Sequence, residues 1–300
     1  EGLEAMNDYD DGYDPNGERY TPELVLYKGF EEALKVLETL LKNENGYMHP
    51  SSQEYTFTEA QIKFLEGEAV MQPNGDWIES EMSANFSEDE VTIQFIKTPV
   101  ISSIVDKCPS ITGTAEEKQE KLEAVIDYVD EVENARIPEG VSDEDVERIR
   151  TARSLLHVTG QDHTAYVPVY SKKKDLAKRF LQFMATDEAI ELYVKASGGY
   201  RTMFRYDYDK PEIQNAMSSF MKSANELVEN SRLFFLKHKD PIFSLTGMVF
   251  MRNGITGTPE SYLSAVNSKD YLSASEIYQK NYTSLKSQWK NYLASANIVK

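Results

Sequence analysis

Three hundred residues with 40% apolar content are enough for a substantial core, in one large domain or two modest ones. Fifty acidic against 32 basic residues give a formal charge of −18 and a pI near 4.7, a balance that repels a nucleic-acid backbone. The single cysteine, Cys108, excludes an internal disulfide and a C-x-x-C zinc or redox site, and no apolar run is long enough for a bilayer crossing.

The chain opens on Glu1-Gly2-Leu3 with neither an initiator methionine nor an export signal, which reads as a processed or shortened chain. Residues 1–20, ending in YDDGYDPNGERY, read as turns and a hairpin because Asp-Gly and Asn-Gly pairs alternate with tyrosines. A calcium loop with Gly12 at its sixth position would put Asn7, Tyr9 and Asp11 at the first, third and fifth, and Tyr9 is not a ligand. Pro22 then opens a helix striped by Leu26, Phe30, Ala33, Leu34, Leu37, Leu40 and Leu41, stopping near Asn45-Gly46. Thr58-x-x-Gln61 reads as a capping box for a short helix through Leu65, ended by Gly67.

Alternation over 90–100 predicts a strand finishing at Pro99. Thr114-x-x-Glu117 caps a helix whose inner face is Leu122, Val125, Ile126 and Val129, and Ser142-x-x-Asp145 opens another through Leu156. After Gly160 the pattern changes. TAYVPVY, 164–170, predicts a buried strand, and Ser171 caps a helix with Leu176, Ala177, Phe180, Leu181 and Met184 inward. Lys172-Lys173-Lys174, the densest basic run, reads as the solvated first turn of that helix, too short for a nucleic-acid patch. Thr186 restarts a helix that ends at Gly198-Gly199. Beyond Pro211 the chain is helical again, and a last helix over 275–293 aligns Tyr278, Tyr282, Leu285, Trp289 and Tyr292 on one docking face.

Chemistry is sparse. Nucleophile elbow, Walker loop and dinucleotide fingerprint are missing, and His49, His157, His163 and His238 lack metal-ligand spacing. No catalytic, metal or cofactor residue is assigned. Asp76 and Glu79, three apart at a helix start, are a carboxylate pair of the kind a glycosidase needs, but Asp76 is also a good helix cap.

The segment FLEGEAVMQPNGDWIESEM, 64–82, is the most specific stretch. Asn74-Gly75 makes a sharp turn, Asn74 or Asp76 can cap the helix through Ile78 and Met82, and Trp77 either packs on the preceding helix or faces outward. The pattern Phe64, Gly67, Ala69, Met71, Gly75, Trp77 resembles the signature of the extracellular solute-binding proteins, family 1, of carbohydrate ABC transporters, the maltose-binding-protein-like group. A second match follows in order: TAYVPVYSKKKDLAKRFLQFMATDEAIELYVKASGG resembles the family's strand, helix and glycine-ended helix, and VSDEDVERIRTAR resembles the longer members found in Firmicutes. The likeness covers most of 1–205 and fades afterwards.

The resemblance implies a helix-rich α/β chain of the periplasmic-binding-protein-like type II fold. In it, 1–155 and 206–300 form the helix-rich C-terminal lobe and 156–205 return to an N-terminal lobe that is largely missing, so the chain looks N-terminally truncated. It further implies non-catalytic binding of a carbohydrate, an oligosaccharide by the family's habit, by a monomer that delivers it to the membrane permease subunits of an ABC importer. Location would be extracellular, as a membrane-anchored lipoprotein in full-length form. Trp77 is the implied stacking surface and Asp76 or Asn74 the rim hydrogen-bonders; Asp162, His163, Tyr200 and Arg201 are further ligand candidates from their place at the family's cleft. Two other readings stay open: a hydrolase using a carboxylate pair, and a lobe binding a peptide or another solute.

Overall fold

The structure is a computed structural model that describes residues 2–52, 54–87, 90–158, 165–202, 204–235, 240–243, 266–269 and 271–298. It is helix-rich, with a single short sheet among the described residues. Two compact units divide it: Glu1–Lys63 with Leu236–Lys300, and Phe64–Phe235. Residues 156–205 lie within the second unit. No helix among the described residues is long and apolar enough to cross a membrane.

The first unit is built on helices α1 (Gly2–Asp10), α2 (Lys28–Leu41), the start of α3 (Phe57–Leu65) and the long C-terminal α11 (Ala274–Ser295). The turn-rich reading of 1–20 holds only after Asp10, where a bridge pairs Tyr13 with Arg19; the preceding residues are helical. Buried Asp14 organises this loop, accepting the backbone N–H groups of Asn16 (2.8 Å) and Glu18 (3.0 Å) and the Thr21 hydroxyl (2.5 Å). Asp240, also buried, takes the Arg19 guanidinium, the Tyr20 hydroxyl and the Ile242 N–H; Gly12 lies against its carboxylate, where a Cβ would be crowded.

Pro22 opens a 3₁₀ turn rather than the long helix expected, because Tyr27 leaves helical geometry and α2 starts afresh at Lys28. Of the α2 stripe, Leu34 and Leu41 are buried, whereas Leu37 and Leu40 are exposed. The α3 capping box uses Thr56 and Glu59, two residues before the expected pair: Thr56 N–H donates to Glu59 and Glu59 N–H to the Thr56 hydroxyl. Glu59 stands at the third helical position and completes the reciprocal bond, while Gln61 is buried.

Ser273 and Glu276 cap α11 in the same manner. Its aromatic stripe docks as the spacing predicts: Tyr278, Leu285, Trp289 and Leu293 are buried, with Tyr282 and Tyr292 partly so. Leu285, Trp289 and Leu293 close a core with Tyr9, Leu24, Val25, Tyr27, Ile242 and Phe243, while Tyr278 and Ile277 join Leu34 and Leu41 in a second cluster. The Trp289 indole N–H donates to the Tyr20 carbonyl at 2.9 Å, so its polar atom is satisfied at little exposure.

In the second unit, α4 (Ile78–Met82) is followed by a 3₁₀ turn at Ser102–Lys107, then α5 (Ala115–Val129) and α6 (Asp143–Ser154). Cys108, Ile111, Leu122, Val125, Val146 and Ile149 form their shared core. Both predicted caps are in place, Thr114 as a full capping box and Ser142 accepting from Asp145 N–H. Buried Asp145 ties the preceding loop to α6 through the Ser110 N–H at 2.8 Å and the Ser110 hydroxyl.

Strand β1 (Leu155–His157) follows α6 directly and pairs in parallel with β2 (Arg232–Phe234), Leu156 opposite Leu233. Between them lie α7 (Lys174–Met184), α8 (Asp187–Ala196), the single turn α9 (Pro211–Gln214) and α10 (Ser219–Glu229). Among the described residues the predicted strand at 90–100 is absent, and so is that at 164–170 over its described part, 165–170. The first is irregular chain held by a bond from Phe95 N–H to the Ser223 hydroxyl. The second has no pairing partner among the described residues, and Tyr166, Val169 and Tyr170 are exposed. Nor is the α7 stripe inward: Leu176, Phe180 and Leu181 are exposed, Ala177 and Met184 half-buried, and Ser171 forms a turn with Lys173 instead of a helix cap. Thr186 does cap α8, and Gly198 and Gly199 end it with positive φ.

Candidate functional site

The Asn74–Trp77 turn sits in the second unit, between α3 and α4. Gly67 stops α3 with a left-handed φ of 84°, and irregular chain then runs to Asp76. Neither Asn74 nor Asp76 caps α4. Its N-cap is Trp77, already in right-handed helical geometry, with no side-chain bond. Asn74 Oδ1 instead accepts the N–H of Gly75 at 2.8 Å. Ile78 and Met82 anchor α4 in the interior beside a small apolar depression, open to solvent, lined by Leu65, Ile78, Glu79, Met82, Phe86 and Val91. Trp77 is not part of that lining.

The indole folds back over Gly75. A Cβ on that glycine would lie 2.2–2.4 Å from Cζ3, Cη2 and Cε3 of the ring, so the glycine is required by close approach and not by φ. Trp77 remains 40% exposed. Of the two alternatives the sequence left open, the ring is braced on its own turn with part of its surface facing solvent.

Asp76 and Tyr200 meet beside it. The Tyr200 hydroxyl donates to the Asp76 carbonyl at 2.9 Å and lies 3.3 Å from the Ser80 hydroxyl, which donates to the Trp77 carbonyl at 2.9 Å. The glycine end of α8 is thereby fastened to the first turn of α4. Burial pushes the Asp76 carboxyl above its ordinary value, only partly offset by its own backbone N–H. Burial likewise raises the Tyr200 phenol, a shift the Ser80 hydrogen bond opposes and the nearby Asp76 and Glu79 charges reinforce. Glu79 accepts the Ser218 hydroxyl at 2.7 Å. Upstream in the same segment, Gln72 Oε1 is shielded from solvent and accepts no hydrogen bond among the described residues.

The turn therefore brings together Asn74, Asp76, Trp77 and Tyr200, four of the seven residues singled out in the sequence. Arg201 is engaged elsewhere: its guanidinium pairs with Glu229 and lies 4.6 Å from the Tyr208 ring centroid. Asp162 and His163 lie outside the described residues. Ser80 was not singled out; its position one turn into α4, three after Trp77, is the signal that could have found it. Chemically, the turn offers an apolar aromatic surface, a partly desolvated carboxyl that can accept hydrogen bonds, and a hydroxyl pair. Among the described residues no group of His, Cys, Asp and Glu is arranged to hold a metal ion.

A scan of the chain against protein-family models finds no match, and searches of the curated proteins and of the solved structures likewise find none.

Proposed function

We propose that this protein binds a carbohydrate non-catalytically, with the exposed part of the Trp77 indole stacking on a pyranose ring and Asp76 accepting hydroxyl hydrogens at its edge. The observation that carries the reading is the pairing of a braced, partly open indole with a carboxyl already stripped of part of its water. A sugar's C–H face suits an indole, and its hydroxyls need polar partners around the rim. Covering about 50 Å² of such a face contributes about 1 kcal/mol. A hydroxyl bonded to a carboxylate adds about 1.5–3 kcal/mol, so useful affinity requires several contacts together.

On this reading, supported by the ordered motifs at 64–77 and 164–199, the chain is a maltose-binding-protein-like receptor of type II periplasmic-binding fold. It would serve the permease of an ABC importer from outside the cell as a lipid-anchored monomer. Calorimetric titration with mono- and oligosaccharides tests it: saturable heat is expected, and Trp77→Ala should weaken the affinity at least about tenfold, which corresponds to about 1.4 kcal/mol. A panel without response from folded protein overturns the proposal.

One observation favours a second reading. A carboxyl held protonated towards higher pH is what a glycosidase proton donor needs, and Asp76 with Glu79 as partner would be that pair. Turnover of a chromogenic glycoside, abolished in Asp76→Asn, would select it.

A further inference from the structure

Four Asn-Gly pairs occur in the chain, at 16–17, 45–46, 74–75 and 253–254, the last outside the described residues. Such pairs deamidate when the glycine nitrogen reaches the asparagine side-chain carbonyl carbon, because no Cβ on the glycine hinders the approach. Backbone hydrogen bonding decides whether that approach is open.

At Asn16-Gly17 the glycine N–H is committed to the Asp14 carbonyl at 2.9 Å, and at Asn45-Gly46 to the Asn43 carbonyl at 3.2 Å. The Asn45 side chain is additionally tied down, its Nδ2 donating to the Thr39 carbonyl at 2.7 Å. Both glycines sit in left-handed turns that these bonds close. Asn74-Gly75 is different in kind. Its glycine N–H donates to Asn74's own Oδ1 at 2.8 Å, which sets the nitrogen beside the carbon it would attack and polarises that carbonyl. Gly75 has no left-handed φ holding it in a closed turn.

We infer that Asn74 is a site of spontaneous deamidation, built into the turn that carries Trp77. A base, hydroxide in water, removes the Gly75 amide proton. The Gly75 nitrogen then bonds to Asn74 Cγ while the Cγ–Nδ2 bond breaks, and Nδ2 leaves as ammonia after taking a proton from water. Water opens the resulting succinimide at either carbonyl, giving aspartate or an isoaspartyl linkage. No oxidant or reductant takes part. Either product sets a new negative charge next to the half-buried Asp76, and the isoaspartyl form lengthens the backbone by one carbon just ahead of the indole. The inference stands whether or not the turn binds a sugar.

The test uses the whole folded chain aged in mildly alkaline buffer, then digested with trypsin. Cleavage at Arg19, Lys42, Lys63, Lys97, Arg252 and Lys269 puts the four pairs in separate peptides: 1–19, 43–63, 64–97 and 253–269. Fragmentation distinguishes Asn74 from Asn85 within the third. The oxygen-for-NH mass increment and isoaspartyl product should accumulate at Asn74 several-fold faster than at Asn16 and Asn45. In denaturant the rates at those three pairs should converge, and Asn74→Gln should abolish the signal that fragmentation assigns to position 74. If folding slows Asn74 as much as Asn16 and Asn45, or the three rates match in folded protein, the inference is wrong.

Discussion

Replacing Gly75 by alanine probes the turn with a single carbon. The backbone tolerates it, since Gly75 has no left-handed φ, but the new Cβ would overlap the far edge of the Trp77 ring at 2.2 Å. The ring, held by two torsions, must swing away. An indole presents about 150–250 Å², of which the fold covers the share left by 40% exposure, about 90–150 Å². At about 25 cal/mol per Å² that cover is worth at most about 2–4 kcal/mol. Gly75 supplies only part of it, so a stability loss of about 1–2 kcal/mol is expected. Binding should suffer in addition, because an unbraced ring forfeits about 1 kcal/mol of stacking and about 0.5–1.5 kcal/mol of ordering on each encounter. Together these raise the sugar Kd about tenfold to fiftyfold.

Fluorescence follows the ring directly. The only other tryptophan, Trp289, is 9% exposed with its N–H bonded to Tyr20, so acrylamide quenching reports mainly Trp77. Gly75→Ala should red-shift the emission and steepen the quenching while far-UV circular dichroism stays unchanged. Identical quenching and identical affinity in the variant would refute the bracing argument.

Tyr200→Phe keeps the ring but removes the hydroxyl that donates to Asp76, and should cost about 0.5–1.5 kcal/mol in urea unfolding while speeding amide exchange at Trp77 and Ile78. Asp145→Ala leaves the Ser110 N–H without its acceptor in the core of α5 and α6, a loss of about 1–3 kcal/mol read from the urea midpoint. Asp14 gives a pH signature. Burial pushes its carboxyl up, but hydrogen bonds from Thr21, Glu18, Asn16 and Gly17 prevail and hold it below its ordinary value. With the folded value lower than the unfolded one of about 3.9, its contribution is present above that pH and lost as pH falls through the folded value. Thermal melts of Asp14→Asn should therefore sit below wild type at neutral pH and converge with it in acid; a constant gap would contradict this.

How much was legible depended on whether a signal was local. The caps at Thr114, Ser142, Thr186 and the glycine stop at Gly198-Gly199 need only neighbouring residues, and all four stand as read. Thr58 was mistaken for Thr56 because both precede a plausible partner three residues on, and only the reciprocal bonds choose between them. The strand readings at 90–100 and over 165–170, the described part of 164–170, failed for a different reason: an alternating or apolar run shows that a segment could pair, not that an edge exists for it. At the candidate site, Gly75 and Trp77 were visible as a turn and an aromatic, but the ring's fold back onto the glycine is a torsion that residue order does not encode. Tyr200's bond to Asp76 spans 124 positions and has no sequence signature at all.

The first unit takes its residues from both extremities of the chain, with 64–235 inserted between them. On a ribosome, translation order then separates from assembly order. Everything the inserted unit needs emerges together, whereas Tyr9, Leu24 and Tyr27 must wait for Leu285, Trp289 and Leu293 before their core can close. A nascent polypeptide halted before α11 should therefore leave residues 2–52 open to protease, and the Trp289 indole would be shielded only once α11 has docked on that core.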